Sequence, residues 1–141
     1  MTIDSMKPAA LAMTALALLL GALMLVNGIA MLANPLAWYG RVPGVVQTGP
    51  FNQHFIRDIG LIYVMTGIGF ALGAVIARQR LLLWSAATVF LTGHALFHFW
   101  EVAVGICSAD AIPRDFIGVT LPALIGLLLS GWAAMPRRNT A

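Results

Sequence analysis

The chain has 141 residues, 60% of them hydrophobic and only 9% charged, with a formal net charge of +3 and a mean hydropathy of +0.90. Soluble domains carry about a quarter charged residues, and eight basic plus five acidic side chains cannot cover the surface of a compact soluble fold of this length. The composition therefore excludes an ordinary soluble domain, the length leaves no room for a separate soluble module, and the scattering of the basic residues between apolar runs argues against nucleic acid as a partner.

Taken in chain order, the first apolar run covers 9–32 and is broken only by Thr14 and Asn27. It is too long for the core of a cleaved signal peptide and suits a spanning helix of about 20 residues. A connection over 34–53 follows, carrying Pro35, Pro43, Gly44, Gly49 and Pro50. The second run is 55–77, the third 81–105 and the fourth 116–135. Arg78-Gln79-Arg80 between the second and third is a tight turn, which predicts antiparallel neighbours. Only helices satisfy their own backbone in hydrocarbon without closing a barrel. The expected fold is thus all-α, an integral membrane four-helix bundle forming one transmembrane domain, with Pro122 expected to kink the last helix.

Lys7, Arg78, Arg80, Arg137 and Arg138 fall on one side of this arrangement, and Arg41 and Arg114 fall on the other with Asp110 and Asp115. The excess of basic residues predicts both termini in the cytoplasm and a multi-pass location in the cell inner membrane. Trp38, Tyr39 and Trp100 are expected at the outer interface, with Trp84 and Trp132 at the inner one. Gly69 and Gly73, with Gly60 and Gly67, permit close helix contact within the monomer or in a homo-oligomer. Cys107, the single cysteine, rules out an intramolecular disulfide and every multi-cysteine metal motif.

Ionisable residues inside spans are costly and mark candidate sites. The second run opens Gln53-His54-Phe55-Ile56-Arg57-Asp58-Ile59-Gly60, and the third closes Gly93-His94-Ala95-Leu96-Phe97-His98-Phe99-Trp100-Glu101; together they hold all three histidines and the only glutamate. At ~100° per residue His94, His98 and Glu101 share one stripe, about 10 Å long. His54 and Asp58 share a face of the second helix, with Arg57 at its edge. Both groups are expected in the outer half of the bilayer, with Asn27 at a similar depth. Glu101 at a helix C-terminus opposes the macrodipole and needs a cation, which predicts an Arg57 pair with Glu101 or with Asp58. Tyr63 projects roughly opposite to His54 and is expected to pack or to bond a neighbouring helix.

These residues support several readings. As a metal site, His54, His94 and His98 with Asp58 or Glu101 would hold a single zinc, iron or copper ion. As a haem site, two of the histidines would be axial ligands and Arg57 a propionate partner, which leaves Asp58 and Glu101 unused. As a structural knot, the same groups would fix helix register. The strings His54-Phe55-x-Arg57-Asp58-x-Gly60 and His94-x-x-x-His98-x-x-Glu101 resemble small four-helix bacterial membrane proteins with no assigned activity; the resemblance implies the fold and the pairing of the two strings, and no chemistry.

The function expected from these residues is metal-assisted redox or proton-transfer chemistry on a lipophilic small molecule. In it Asp58 or Glu101 acts as ligand or general base and Arg57 orients an anion. The alternatives are an accessory subunit or assembly factor of a larger membrane complex, and a proton or solute path.

Overall fold

The computed structural model describes residues 8–136. Lys7, Arg137 and Arg138, counted above as charges at the termini, lie outside the described residues. The elements are α1 (Pro8–Ala33), α2 (Pro35–Arg41), α3 (Gln53–Val75), α4 (Arg80–Ala103), α5 (Ala111–Asp115) and α6 (Leu121–Ala134), with a π-helical turn at Phe116–Thr120 joining the last two. Short 3-10 turns stand at Val45–Gln47 and Ala77–Gln79. Four helical stretches, Pro8–Ala33, Gln53–Val75, Ala77–Ala103 and Ala111–Ala134, are long and apolar enough to cross a membrane.

Local sequence explains where these helices begin. The Asn34 side chain accepts from the Ala37 amide and Pro35 supplies the first helical residue of α2. The Asn52 side chain accepts from the Phe55 amide and starts α3 in the same way. Residues 34–53, read from sequence as an irregular connection, thus contain a two-turn helix.

α1 lies along α3, α3 along α4 and α4 along α6, and the contact of α1 with α6 is slight. The α1–α3 seam is built on facing glycines. A Cβ added at Gly28 would stand 2.6 Å from the Gly60 carbonyl oxygen, and one added at Gly67 would stand 2.7 Å from that of Gly21. Each helix places its pair seven residues apart, the step that keeps a seam facing its partner along an antiparallel pair. Gly69 and Gly73 turn instead toward α4, against Ala87 and Trp84. All four glycines of α3 named from the sequence therefore serve packing within the monomer. At the α4–α6 seam Gly126 sits against Thr88, whose hydroxyl is 3.0 Å from that of Ser130.

The buried core holds Leu20, Met24, Ile56, Tyr63, Phe70, Trp84 and Leu129. Outside it the helices present large apolar side chains, with Met65, Val75, Val89 and Ile117 exposed by 69%, 77%, 72% and 76%. Such a surface is costly in water and matches hydrocarbon.

Two tryptophans expected at the rim have other roles. Trp84 is fully buried and donates its indole N–H to the Phe70 carbonyl at 3.0 Å, and Trp132 stacks beside it. Arg80, expected to be a topology charge, is also buried. Its guanidinium donates to the carbonyls of Gly73 and Ala74, each at 3.0 Å, and lies over the Trp84 and Trp132 rings. Those carbonyls end α3, so a cation there satisfies orphan acceptors and the helix dipole together.

Candidate functional site

The last turns of α4 place His94 and His98 on one face, with ring centroids 4.7 Å apart and edge to face. His94 stacks on Phe90 and meets the edge of Tyr63 from α3, at 5.8 and 6.2 Å. His98 reaches the other way. Its Nδ1 lies 3.0 Å from Asp115 Oδ2, and the Asp115 side chain is only 11% exposed. Arg114 grips the same carboxylate, donating from Nε to Oδ1 at 2.7 Å and from Nη2 to Oδ2 at 3.1 Å. Its Nη1 donates to Gln47 Oε1 at 2.9 Å, on the loop between α2 and α3. The guanidinium also fills the space over Gly44, whose φ of +84° suits glycine and whose added Cβ would lie 2.5 Å from it. A polar line thus runs Gln47–Arg114–Asp115–His98–His94, from the loop into the bundle.

The order of bonds decides the chemistry. A carboxylate held by a guanidinium fork has only acceptors to offer, so the His98 Nδ1 must donate. In the neutral ring the proton then sits on Nδ1, and Nε2 carries the free lone pair. A histidine oriented by a carboxylate in this way is a fixed-tautomer base whose protonated form has its counter-ion in place. His98, Phe99, Val102, Asp115 and Thr120 line a crevice that has room for about one water.

The fourth span carries Asp115 into position. It begins at Ala111 and not near Phe116, so Arg114 and Asp115, expected in the outer loop, belong to the helical stretch. Pro113 stands in the first turn of α5, where its missing N–H costs nothing. Ser108 donates to the Asp110 carboxylate at this turn and holds its pKa below the ordinary value. After Asp115 the chain makes one π turn, in which the Leu121 amide bonds the Phe116 carbonyl, and Pro122 enters α6 at its start. The Pro122 irregularity expected from sequence takes this form, and such wide turns recur beside functional residues.

The residues named from the sequence separate into distinct places. His54 Nε2 lies 3.2 Å from Asp58 Oδ2, but these side chains are 89% and 54% exposed. Tyr63 explains why: it faces His94, and a residue nine positions earlier on an ideal helix points the opposite way. His54 therefore looks away from α4, and the proposed five-donor set of His54, Asp58, His94, His98 and Glu101 is not brought together. Among the described residues no group of three or more His, Cys, Asp or Glu side chains is arranged to hold a metal ion. Of the histidines expected as haem ligands, His94 and His98 are edge-to-face neighbours on one helix and His54 looks away from α4.

Arg57 makes neither expected ion pair among the described residues. Its Nε donates to the Leu32 carbonyl at 3.2 Å, in the last turn of α1. A helix C-terminus favours a cation, which accounts for this contact. Glu101 is half-buried, and its backbone carbonyl accepts from the Ile106 and Cys107 amides. Asn27 gives its carbonyl to the Trp38 indole at 2.9 Å and does not join the histidines.

Sequence reasoning found His94 and His98 and missed Asp115, Arg114 and Gln47. The available signal was Ser108-Ala109-Asp110 followed by Pro113, a helix-start pattern that draws Arg114-Asp115 into the fourth helix. Compared with family models, with curated proteins and with solved structures, the chain matches none.

Proposed function

We propose that this chain is a four-helix inner-membrane protein, with both termini cytoplasmic, that performs proton transfer on a lipophilic small molecule in the outer half of the bilayer. His98 is the base, Asp115 orients it and Arg114 holds Asp115. The observation that carries the reading is the 3.0 Å contact of His98 Nδ1 with a carboxylate already held by Arg114. In the forward step a proton leaves an acidic bond of the substrate, the bonding electron pair stays on the substrate, and the proton lodges on Nε2. Asp115 then faces the imidazolium and offsets its charge. The proton's return to a different atom of the same molecule gives an isomer and restores the base. A lipophilic substrate fits because Phe99, Val102 and Ile112 wall the crevice within stretches apolar enough to span. The charge bias of Lys7, Arg78, Arg80, Arg137 and Arg138 supports cytoplasmic termini. Among the described residues no donor set is assembled for a transition metal, and in this reading Asp115 and Arg114 take the proton-transfer roles expected of Asp58, Glu101 and Arg57.

The test compares membrane lipid extracts, by mass spectrometry, from host cells carrying the wild-type chain, a deletion, His98→Asn or Asp115→Asn. The same lipophilic species should accumulate in the deletion and both variants and return to its normal level with the wild type. General-base catalysis contributes about 10²–10⁴-fold, so turnover in the His98→Asn cells should be near that of the deletion. Extracts indistinguishable from wild type in both variants, with loss of a larger membrane complex only in the deletion, would assign the chain to an accessory role instead.

A further inference from the structure

The crevice beside His98 constrains what the dyad can take, and we infer that its ligand is an alkylphenol-type molecule, a lipophilic body ending in a weakly acidic ring hydroxyl that enters hydroxyl-first between α4 and α5. This deepens the proton-transfer reading and rests on it.

Size comes first. Room for about one water between His98, Val102, Asp115 and Thr120 admits a single oxygen and no ring. The rest of the molecule must stay outside, between Phe99 on α4 and Ile112 on α5, which are 40% and 43% exposed on the apolar surface. The ligand's polar end is therefore terminal and small, and its body is lipophilic.

Charge removes the next classes. Arg114 and Asp115 compensate each other at 2.7 and 3.1 Å, so the crevice offers no unmatched cation to a carboxylate. It offers no unmatched anion to an amine either, because Asp115 is shared between Arg114 and His98 and Glu101 is not among the crevice walls. A charged ligand would leave water without a partner.

Hydrogen bonding selects within the neutral molecules. With Nδ1 spent on Asp115, the neutral His98 ring has an acceptor left at Nε2, and Thr120, a hydroxyl-bearing residue, is among those that line the crevice. A group that both donates to Nε2 and accepts from Thr120 is a hydroxyl; an ether or ketone oxygen accepts only. Acidity narrows it further. A phenol hydroxyl is far more acidic than an alkanol hydroxyl, so of the two it is the one that readily shares its proton with an imidazole.

The experiment uses the full chain in lipid nanodiscs with 15N-labelled histidine, and follows the His98 ring nitrogens during titration with 4-octylphenol, octylbenzene, octanoate or octylamine. The Nε2 resonance should move saturably with 4-octylphenol at a concentration at least about tenfold below any response to octylbenzene, which is about 1.4 kcal/mol of selectivity. Val102→Ile, which adds one methyl group to a crevice with room for about one water, should weaken the response at least about tenfold while the Nδ1–H tautomer persists. An equal response to octylbenzene, or a stronger one to octanoate or octylamine, overturns the inference. No response to the phenol with the Nδ1–H tautomer intact overturns it too and leaves the dyad reading standing; loss of that tautomer in the unliganded protein overturns both.

Discussion

Two arginines show how one residue type takes different work from its surroundings. Arg80 is buried, donates to two carbonyls at the end of α3 and lies over two indole rings, whereas Arg57 is exposed and makes one bond to the end of α1. Hydrogen bonds to charged groups contribute about 1.5–3 kcal/mol when buried, and ordinary net values are about 0.5–1.5. Arg80→Gln should therefore lower stability by about 3 kcal/mol or more, and Arg57→Gln by about 1 kcal/mol, read as unfolding free energies in mixed detergent micelles. A loss of ~3–5 kcal/mol at Arg57 would point back to the ion pair with Glu101 or Asp58 that is not found among the described residues. At this scale the sequence disclosed which side chains are expensive but not their partners. His94 and His98 announce themselves by spacing alone. Asp115 lies in sequence beside Arg114 and Asp110, where its charge reads equally well as a loop residue, and only the contact with His98 distinguishes it.

Glycine sets how closely neighbouring helices approach one another. The seam of α1 with α3 brings backbone to within reach of backbone at Gly28 and Gly60, and at Gly21 and Gly67. Gly28→Ala places a methyl group 2.6 Å from a carbonyl oxygen, with two further atoms of Val64 inside 3 Å, so neither neighbour can simply swing away. The expected cost is about 1–3 kcal/mol. Gly93 has nothing within 4 Å of an added Cβ, and Gly93→Ala should stabilise the chain by up to about 1 kcal/mol through helix propensity alone. Equal effects at the two positions would contradict the seam. The glycines themselves were legible in the sequence; their division between α1 and α4 was not, because Gly60, Gly67, Gly69 and Gly73 occupy two faces and a single sequence does not say which neighbour lies on each. The π turn before Pro122 was legible only as an irregularity, since the proline fixes where a regular bond fails and not how the chain absorbs it.

At the scale of the molecule, four apolar runs, one tight turn and the antiparallel pairing of α3 and α4 follow from composition and punctuation. The fourth run was placed too late by five residues, and that offset hid the carboxylate on which the site depends. Orientation rests on charge bias, and the single cysteine is a built-in reporter of it. Cys107 is half-buried in the loop between α4 and α5; with the termini cytoplasmic, a membrane-impermeant maleimide should modify it in intact spheroplasts. Modification only after the inner face is opened would reverse the orientation. The central claim, however, is that Asp115 fixes the proton of His98 on Nδ1, and 15N spectra of labelled histidine in the wild type and in Asp115→Asn measure this directly. In its neutral form the wild-type His98 ring should carry its proton on Nδ1 with Nε2 bare, and the amide variant should shift that neutral ring toward a tautomer mixture. A His98 protonated on Nε2, or a tautomer unchanged by loss of the carboxylate charge, would contradict the account.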